Sequence, residues 1–567
     1  MKFAKYLVVL AIAVFAIASA SNAQSVQFLG GGSSAMFLEL GQAAASAPTT
    51  ATPCVWSKNS IAGVSARDNR TTPAVNESGN IWITWGPGGG TCGAPVAPFN
   101  IYSYMSVDSV VGDKCYFEVD SSGIPGCVQI LTVAAGTTGD GKLCDPSPTT
   151  CTNFGDTAGG LPASVISAIN GQHWFVAGTD IRPEDAKFAS LRMFTACGAP
   201  VNRQPFDQGL RQTYGLGYQT ATNGVGTTVR SSFSTKTSNV LDFNITGNDP
   251  ITAAAVPAYS VSTVGAQPIV VAVSPAGGTG LGAATDINGF TLALFQQGVL
   301  GRSTDLFGPT TTNTVTTLIR EPLSGTYNTM EYSIPNSSQF HTSQDESNCN
   351  GNVVFANPMT LQSTNGQILA YRKRVIGTGE MVATLQAATT DTLGYFFWSA
   401  GNASAFTATN GKYLTVNGVD PLLNAYTDGV FPGVDAQHPL SNVTFKWLNQ
   451  GDYPVWSSLR LVSKSPTPAG VTNLIAAAQT LNSTQHDFVT LANLKVTHSH
   501  YYLPAINNGV SANGNTLNPG TPNDLCGSAG ALGEFGGDAG GANTLKQANF
   551  DFCADFGNIN GLINKAN

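Results

Sequence analysis

Residues 314–334 read TVTTLIREPLSGTYNTMEYSI, and the handover inside this stretch decides the fold. Its first part, TVTTLIREP, is dense in β-branched residues and reads as a strand, while an amphipathic helix is expected to begin at Ser324. Arg320 therefore closes a strand four positions before Ser324, Gly325 and Thr326, placing one permanent cation beside hydroxyl and backbone donors. The start of a helix carries partial positive charge and N–H groups with no partner inside the helix. Adding a guanidinium and hydroxyls makes a pocket suited to a tetrahedral oxyanion, with no catalytic group and no metal required. An SGT tripeptide can equally be an ordinary helix cap, so the rest of the chain has to agree.

The same strand-to-helix step recurs on both sides. VQFLGGGSSAMFLELGQAAAS (26–46) reads as a short strand, a glycine turn and an amphipathic helix, with Phe37, Leu38, Leu40, Ala43 and Ala44 on its apolar side. LPASVISAIN (161–170) is a helix candidate that leads into the strand-like HWFVAG (173–178) and then TDIRPEDAKFASLRMF (179–194). Pro183, Glu184 and Asp185 are helix-opening signals there, with Thr179 or Asp180 as the N-cap. QPIVVAVSP (267–275) reads as a strand and FTLALFQQGVL (290–300) as a helix. Strands alternating with helices point to an α/β sheet whose ligand sites lie where strands hand over to helices.

Between about 46 and 158 the chain is rich in Cys, Gly, Pro and Thr, with WITW (82–85) and NIYSYMSVDSVV (100–111) as strand-like pieces. It is expected to be a disulfide-stapled insertion with few helices. The N-terminus carries Lys2 and Lys5, then the apolar run YLVVLAIAVFAIA, then small residues. That is the pattern of a secretory signal peptide cut after Ala23, which implies a periplasmic or secreted protein. No later stretch is long and apolar enough to span a bilayer. The ten cysteines are expected as disulfides. Sequence proximity suggests Cys54 with Cys92, Cys115 with Cys127, Cys144 with Cys151 and Cys526 with Cys553, leaving Cys197 for Cys349. Charged residues make up 11% of the chain and its net charge is −8, without basic clusters, which argues against nucleic acid or an anionic membrane as partner.

Taken in order, GGGSSAMF, AGTDIRPEDAKFA, PIVVAVSP, ALFQQGVL, REPLSGT, DTLGYFFW, VNGVDP and YPVWSSLRLV resemble the phosphate-binding proteins of ABC phosphate import. The resemblance covers patches from residue 26 to about 465, and this chain is longer than a typical member. It implies a two-lobed type II periplasmic-binding-protein fold, α/β, with the disulfide-stapled insertion and a loop-rich C-terminal tail. The implied division is a signal peptide at 1–23, lobe one at 24–265, lobe two at 266–435, a return to lobe one at 436–504 and a Gly/Asn-rich tail at 505–567. The implied phosphate ligands are Ser33, Ser34 and Ala35 from the first glycine motif, Arg320, Ser324, Gly325 and Thr326 from the second, and Asp180 with Thr179 beside it. Asp249 in DFNITGNDPI competes with Asp180 for the role of ligand carboxylate. The second glycine-serine motif of lobe one is either VDSVVG, with Asp108, Ser109 and Gly112, or TNGVGTT, with Gly224 and Gly226. Phosphate binders often carry an acidic residue between the arginine and the serine; here Glu321, Pro322 and Leu323 stand there.

Such a site needs one acceptor as well as donors. Phosphate near neutral pH carries at least one proton, so a carboxylate at Asp180 would accept that proton and repel a fully deprotonated anion such as sulfate. The resemblance implies a monomer that binds inorganic phosphate and works with an ABC permease, with no cofactor and no enzymatic activity. A secreted or surface structural or adhesive protein that reuses the fold is the alternative. Residues 136–142, GTTGDGK, imitate a P-loop, but Leu143 stands where Ser or Thr is required. His498 and His500 would share one face of a strand without a nearby third metal ligand, and no catalytic motif surrounds His486 and Asp487.

Overall fold

The computed structural model describes residues 24–46, 53–70, 75–144, 156–157, 159–183, 186, 245, 247–249, 252–274, 281–297, 315–320, 324–334, 359–362, 368–375 and 377–498, with short pieces at 221–222, 228–229 and 563–565. The expected signal peptide, nearly all of the C-terminal tail, and Cys151, Cys197, Cys349, Cys526 and Cys553 lie outside the described residues.

The chain opens with strand β1 (Ser25–Gly32), whose last five residues are buried. It continues through a single 3-10 turn, Ser34–Met36, into helix α1 (Phe37–Ser46). Strands β2 (Cys54–Lys58), β3 (Val64–Asp68), β4 (Val75–Glu77), β5 (Asn80–Trp85) and β6 (Asn100–Ser106) follow, then helix α2 (Ser109–Phe117), β7 (Cys127–Leu131), helix α3 (Ala163–Ile169) and β8 (Val176–Thr179). After these come the long β9 (Tyr259–Ser274), β10 (Asp286–Ile287), helix α4 (Gly289–Gln297), β11 (Thr316–Arg320) and helix α5 (Gly325–Ser333). The last run is β12 (Met359–Gln362), β13 (Ile368–Val375), helix α6 (Gly377–Gln386), β14 (Thr392–Phe397), β15 (Lys412–Val416), β16 (Trp456–Lys464) and helix α7 (Ala469–Gln485).

Thirteen strands form one mixed sheet in the order β12-β13-β11-β14-β9-β16-β8-β1-β6-β5-β2, with β15 on β9 and β10 on β15. β1 runs parallel to β6 and β8, and β11 parallel to β13 and β14. Strand β9 explains why one sheet makes two lobes. From Tyr259 to Pro268 it pairs antiparallel with β16, and from Ile269 to Ser274 it pairs instead with β14. Pro268 has no N–H for the ladder, and the change of partner falls there. On its other side β16 pairs with β8, so β9 and β16 cross between a half-sheet built on β8, β1, β6, β5 and β2 and another built on β14, β11, β13 and β12.

Each half has its own core. Trp56, Trp85, Ile101, Val110, Phe117 and Trp174 fill lobe one, and Leu318, Met381, Phe396, Trp398 and Phe431 fill lobe two. A third cluster, including Phe28, Leu40, Trp82, Phe397 and Leu459, runs through the junction. Helix α7 packs on α1 and β1, which returns the chain to lobe one.

The described residues of the 46–158 stretch supply strands to the half-sheet around β1. β6 pairs with β1, β5 with β6 and β2 with β5, while β3, β4 and β7 make a separate three-stranded sheet. Cys54–Cys92 and Cys115–Cys127 are bonded as expected; Cys144 is disulfide-bonded too, and its expected partner is outside the described residues. The strand-like reading of NIYSYMSVDSVV holds through Ser106, after which the chain turns helical from Ser109. All nine residues of α2 are buried, so the helix shows no apolar stripe from which its period could be read.

Candidate functional site

The ends of four strands deliver helix starts to one place between the lobes. In lobe one, β1 ends at Gly32 and Ser33 caps the following turn, its hydroxyl accepting from the Ala35 N–H at 3.1 Å. Gly32 is required at φ 145°, because a Cβ there would lie 1.9 Å from the Gly178 carbonyl oxygen. β6 ends before Asp108 and Ser109, the start of α2. In lobe two, β11 ends at Arg320 and Ser324 caps α5, its hydroxyl accepting from the Tyr327 N–H at 3.3 Å. β13 leads to Gly377 and Thr378, the start of α6.

Arg320 is 1% exposed and joins the two sides. Its Nη1 donates to Thr326 Oγ1 at 3.2 Å and Thr378 Oγ1 at 3.3 Å, both in lobe two. Its Nη2 donates to Ser34 Oγ at 3.3 Å and lies 3.7 Å from Asp108 Oδ1, both in lobe one. Ser34 and Thr378 also meet directly, with their hydroxyl oxygens 3.0 Å apart and the Thr378 N–H donating to Ser34 Oγ at 3.4 Å.

Asp180 lies beside this cluster and is 1% exposed. Its Oδ1 accepts a hydrogen bond from the Ser109 hydroxyl, and its backbone carbonyl accepts one from the Ser457 hydroxyl. Its Oδ2 is buried and has no hydrogen-bond partner among the described residues. Burial pushes the Asp180 carboxyl above the usual range, while the Ser109 bond and the Arg320 charge pull against that rise. Gly325 of lobe two approaches so closely that a Cβ on it would fall 1.4 Å from Asp180 Oδ1.

Among the expected residues the structure thus brings together Ser33, Ser34, Ser109, Asp180, Arg320, Gly325 and Thr326. The Ala35 N–H and the Ser324 hydroxyl are engaged in the caps of their own turns. Thr179 is buried, but its hydroxyl donates to the Ile181 carbonyl at 2.8 Å and accepts from the Ile181 N–H at 3.3 Å, which commits it to its own turn. Asp180 lies beside Arg320, and Asp249 lies elsewhere in lobe one. Asp249 is paired with Arg70 and takes the Val119 N–H at 3.2 Å, inside a buried ionic network with Lys114, Asp68, Glu77 and Glu118 in lobe one. Of VDSVVG, Asp108 and Ser109 lie at this cluster, at the start of α2; Gly224, Gly226, Glu321, Pro322 and Leu323 lie outside the described residues.

Sequence reasoning missed Thr378 and left Asp108 without a role of its own. The signal for Thr378 was GTGE at 377–380, a glycine-flanked hydroxyl after a strand, the same device as SGT. Among the described residues no group of three or more His, Cys, Asp or Glu could hold a metal ion.

A guanidinium and hydroxyls drawn from both lobes thus lie beside two buried carboxylates, those of Asp108 and Asp180. No family model matches the chain, and no curated protein matches it. Among solved structures it is similar to a putative phosphate ABC transporter substrate-binding protein with bound phosphate from Clostridium perfringens, at 13% identity and a TM-score of 0.24, over 39% of this chain and 65% of that one. The chain therefore spans just under two thirds of that protein's length. A high affinity periplasmic phosphate-binding protein bound with phosphate is similar at 12% identity and a TM-score of 0.32, over 82% of this chain and 92% of that one. An ancestral soluble variant of the human phosphate binding protein is similar at 10% identity and a TM-score of 0.31, over 89% and 98%. Values this low describe a likeness of fold and say nothing of the ligand.

Proposed function

We propose that the protein is an extracytoplasmic solute-binding protein that holds inorganic phosphate, or a similarly protonated tetrahedral oxyanion, between its lobes and delivers it to an ABC-type importer. One observation carries this reading: Arg320 bonds hydroxyls from both lobes beside a buried Asp180 oxygen that has no hydrogen-bond partner among the described residues. The guanidinium and helix starts supply donors for most ligand oxygens, and Asp180 Oδ2 accepts the ligand's proton. A charge-assisted hydrogen bond contributes about 1.5–3 kcal/mol, so a few of them reach the roughly 8 kcal/mol of micromolar binding. Disulfides in lobe one fit an oxidising, extracytoplasmic setting.

Calorimetry with phosphate, arsenate and sulfate tests the reading. The expected result is heat with phosphate and arsenate, little with sulfate, and a loss of at least about 100-fold in affinity in Arg320→Ala, equivalent to about 2.7 kcal/mol. Absence of heat with every oxyanion, or undiminished binding in Arg320→Ala, overturns it.

A further inference from the structure

Asp108 stands at the N-cap position of α2 with an extended backbone, φ −125° and ψ 157°. An aspartate there ordinarily turns its carboxylate back onto the first N–H groups of its own helix. Asp108 makes no such bond. Its side chain is 4% exposed and its Oδ1 faces Arg320 Nη2 of lobe two at 3.7 Å. The guanidinium is thus shared before any anion arrives: one nitrogen serves lobe-two hydroxyls and the other serves Ser34 and Asp108 of lobe one.

Resting on the anion-site reading above, we propose that Asp108 is a specificity-determining residue that sets the charge of the accepted oxyanion. With Asp180 it presents two carboxylates around Arg320, so the preferred guest is a monoanion with hydroxyls to donate, of the dihydrogen phosphate class, over a dianion. Each negative charge added to the guest meets repulsion from both carboxylates and a cation whose field one of them already offsets. Among the described residues, other ionisable groups in or beside the elements of the cluster include Tyr104 on β6, Asp113 further along α2, Arg182 two residues past Asp180, Glu380 in the first turn of α6, and Lys142, whose Nζ approaches α6 at Gly379. Tyr104 donates its hydroxyl to the Ser33 carbonyl at 2.7 Å and is held neutral by burial.

The test is calorimetry of the full chain and of Asp108→Asn with inorganic phosphate on either side of its second ionisation, and with sulfate. The wild-type protein should bind phosphate about tenfold more tightly on the acidic side, where the monoanion dominates. Asp108→Asn should flatten that profile and raise the sulfate affinity relative to phosphate about tenfold, with thermal melting to confirm that the variant folds. The ratio of two affinities measured on one sample does not depend on how much of that sample is folded. Phosphate binding with the pH profile and sulfate ratio unchanged in Asp108→Asn overturns the proposal alone. No heat from any oxyanion in either protein overturns the anion-site reading and this proposal together.

Discussion

Gly325 shows how little tolerance the cluster has at the scale of one residue. Any β-carbon there would sit 1.4 Å from Asp180 Oδ1 and 2.4 Å from Ser109 Oγ, so lobe two could not keep its present approach to lobe one. Gly325→Ala should weaken phosphate binding at least about 100-fold and lower stability by about 1–3 kcal/mol, as overpacking of a buried contact does. Calorimetry and urea unfolding measure both, and wild-type affinity in Gly325→Ala would show that the close approach is not part of the binding state. Arg320 was legible in the sequence from its place at a strand end four positions before SGT, and Asp180 from the resemblance that AGTDIRPEDAKFA carries. Asp108 was not, because an aspartate before a helix is most simply read as a cap, and only the geometry shows that it faces the guanidinium instead.

At the scale of elements, the helical reading was available in α3, which has one wet face, and unavailable in α2, which has none. Helix α2 is buried throughout, and its Lys114 lies among Asp68, Glu77 and Glu118 at 3.4–3.5 Å. Glu118 is a local partner four residues on, but Asp68 and Glu77 come from distant sequence positions, so periodicity does not announce them. The Cys115–Cys127 disulfide fastens this helix to β7, closing a sequence separation of 12 residues. Replacing both cysteines by serine should cost about 2–4 kcal/mol, since the reduced chain regains the entropy of the open loop. Because α2 begins with the Asp108 and Ser109 that serve the site, the same change should also weaken ligand binding. Unchanged denaturant midpoint and affinity would mean that packing alone holds α2 in place.

For the whole molecule the controlling region is the junction where β9 and β16 cross. Gln267, beside Pro268, donates from Nε2 to Glu39 Oε1 at 2.9 Å and to the Asp487 carbonyl at 3.1 Å. Asp487 Oδ1 in turn takes the Ala400 N–H at 2.7 Å, tying the end of α7 to the short helix Ala400–Ala403. Burial pushes the Asp487 carboxyl up to about 7, and burial together with the Asp487 charge raises that of Glu39 as well. In the folded protein these carboxyls keep protons that they would release in the unfolded chain. Stability from this source is complete below the ordinary carboxylate range and is lost as pH rises from there through about 7. Each retained proton contributes a slope of about 1.4 kcal/mol per pH unit within that window. Urea unfolding of the ligand-free protein between about pH 5 and pH 8 should therefore show stability falling toward the alkaline end. Asp487→Asn keeps an acceptor for the Ala400 N–H, removes one titrating group and relieves Glu39 of its neighbour's charge, so its profile should be flatter. A wild-type profile that is level or rises across this range, or one that Asp487→Asn leaves unaltered, would show that the junction carboxyls hold no proton and that the two lobes are joined without them.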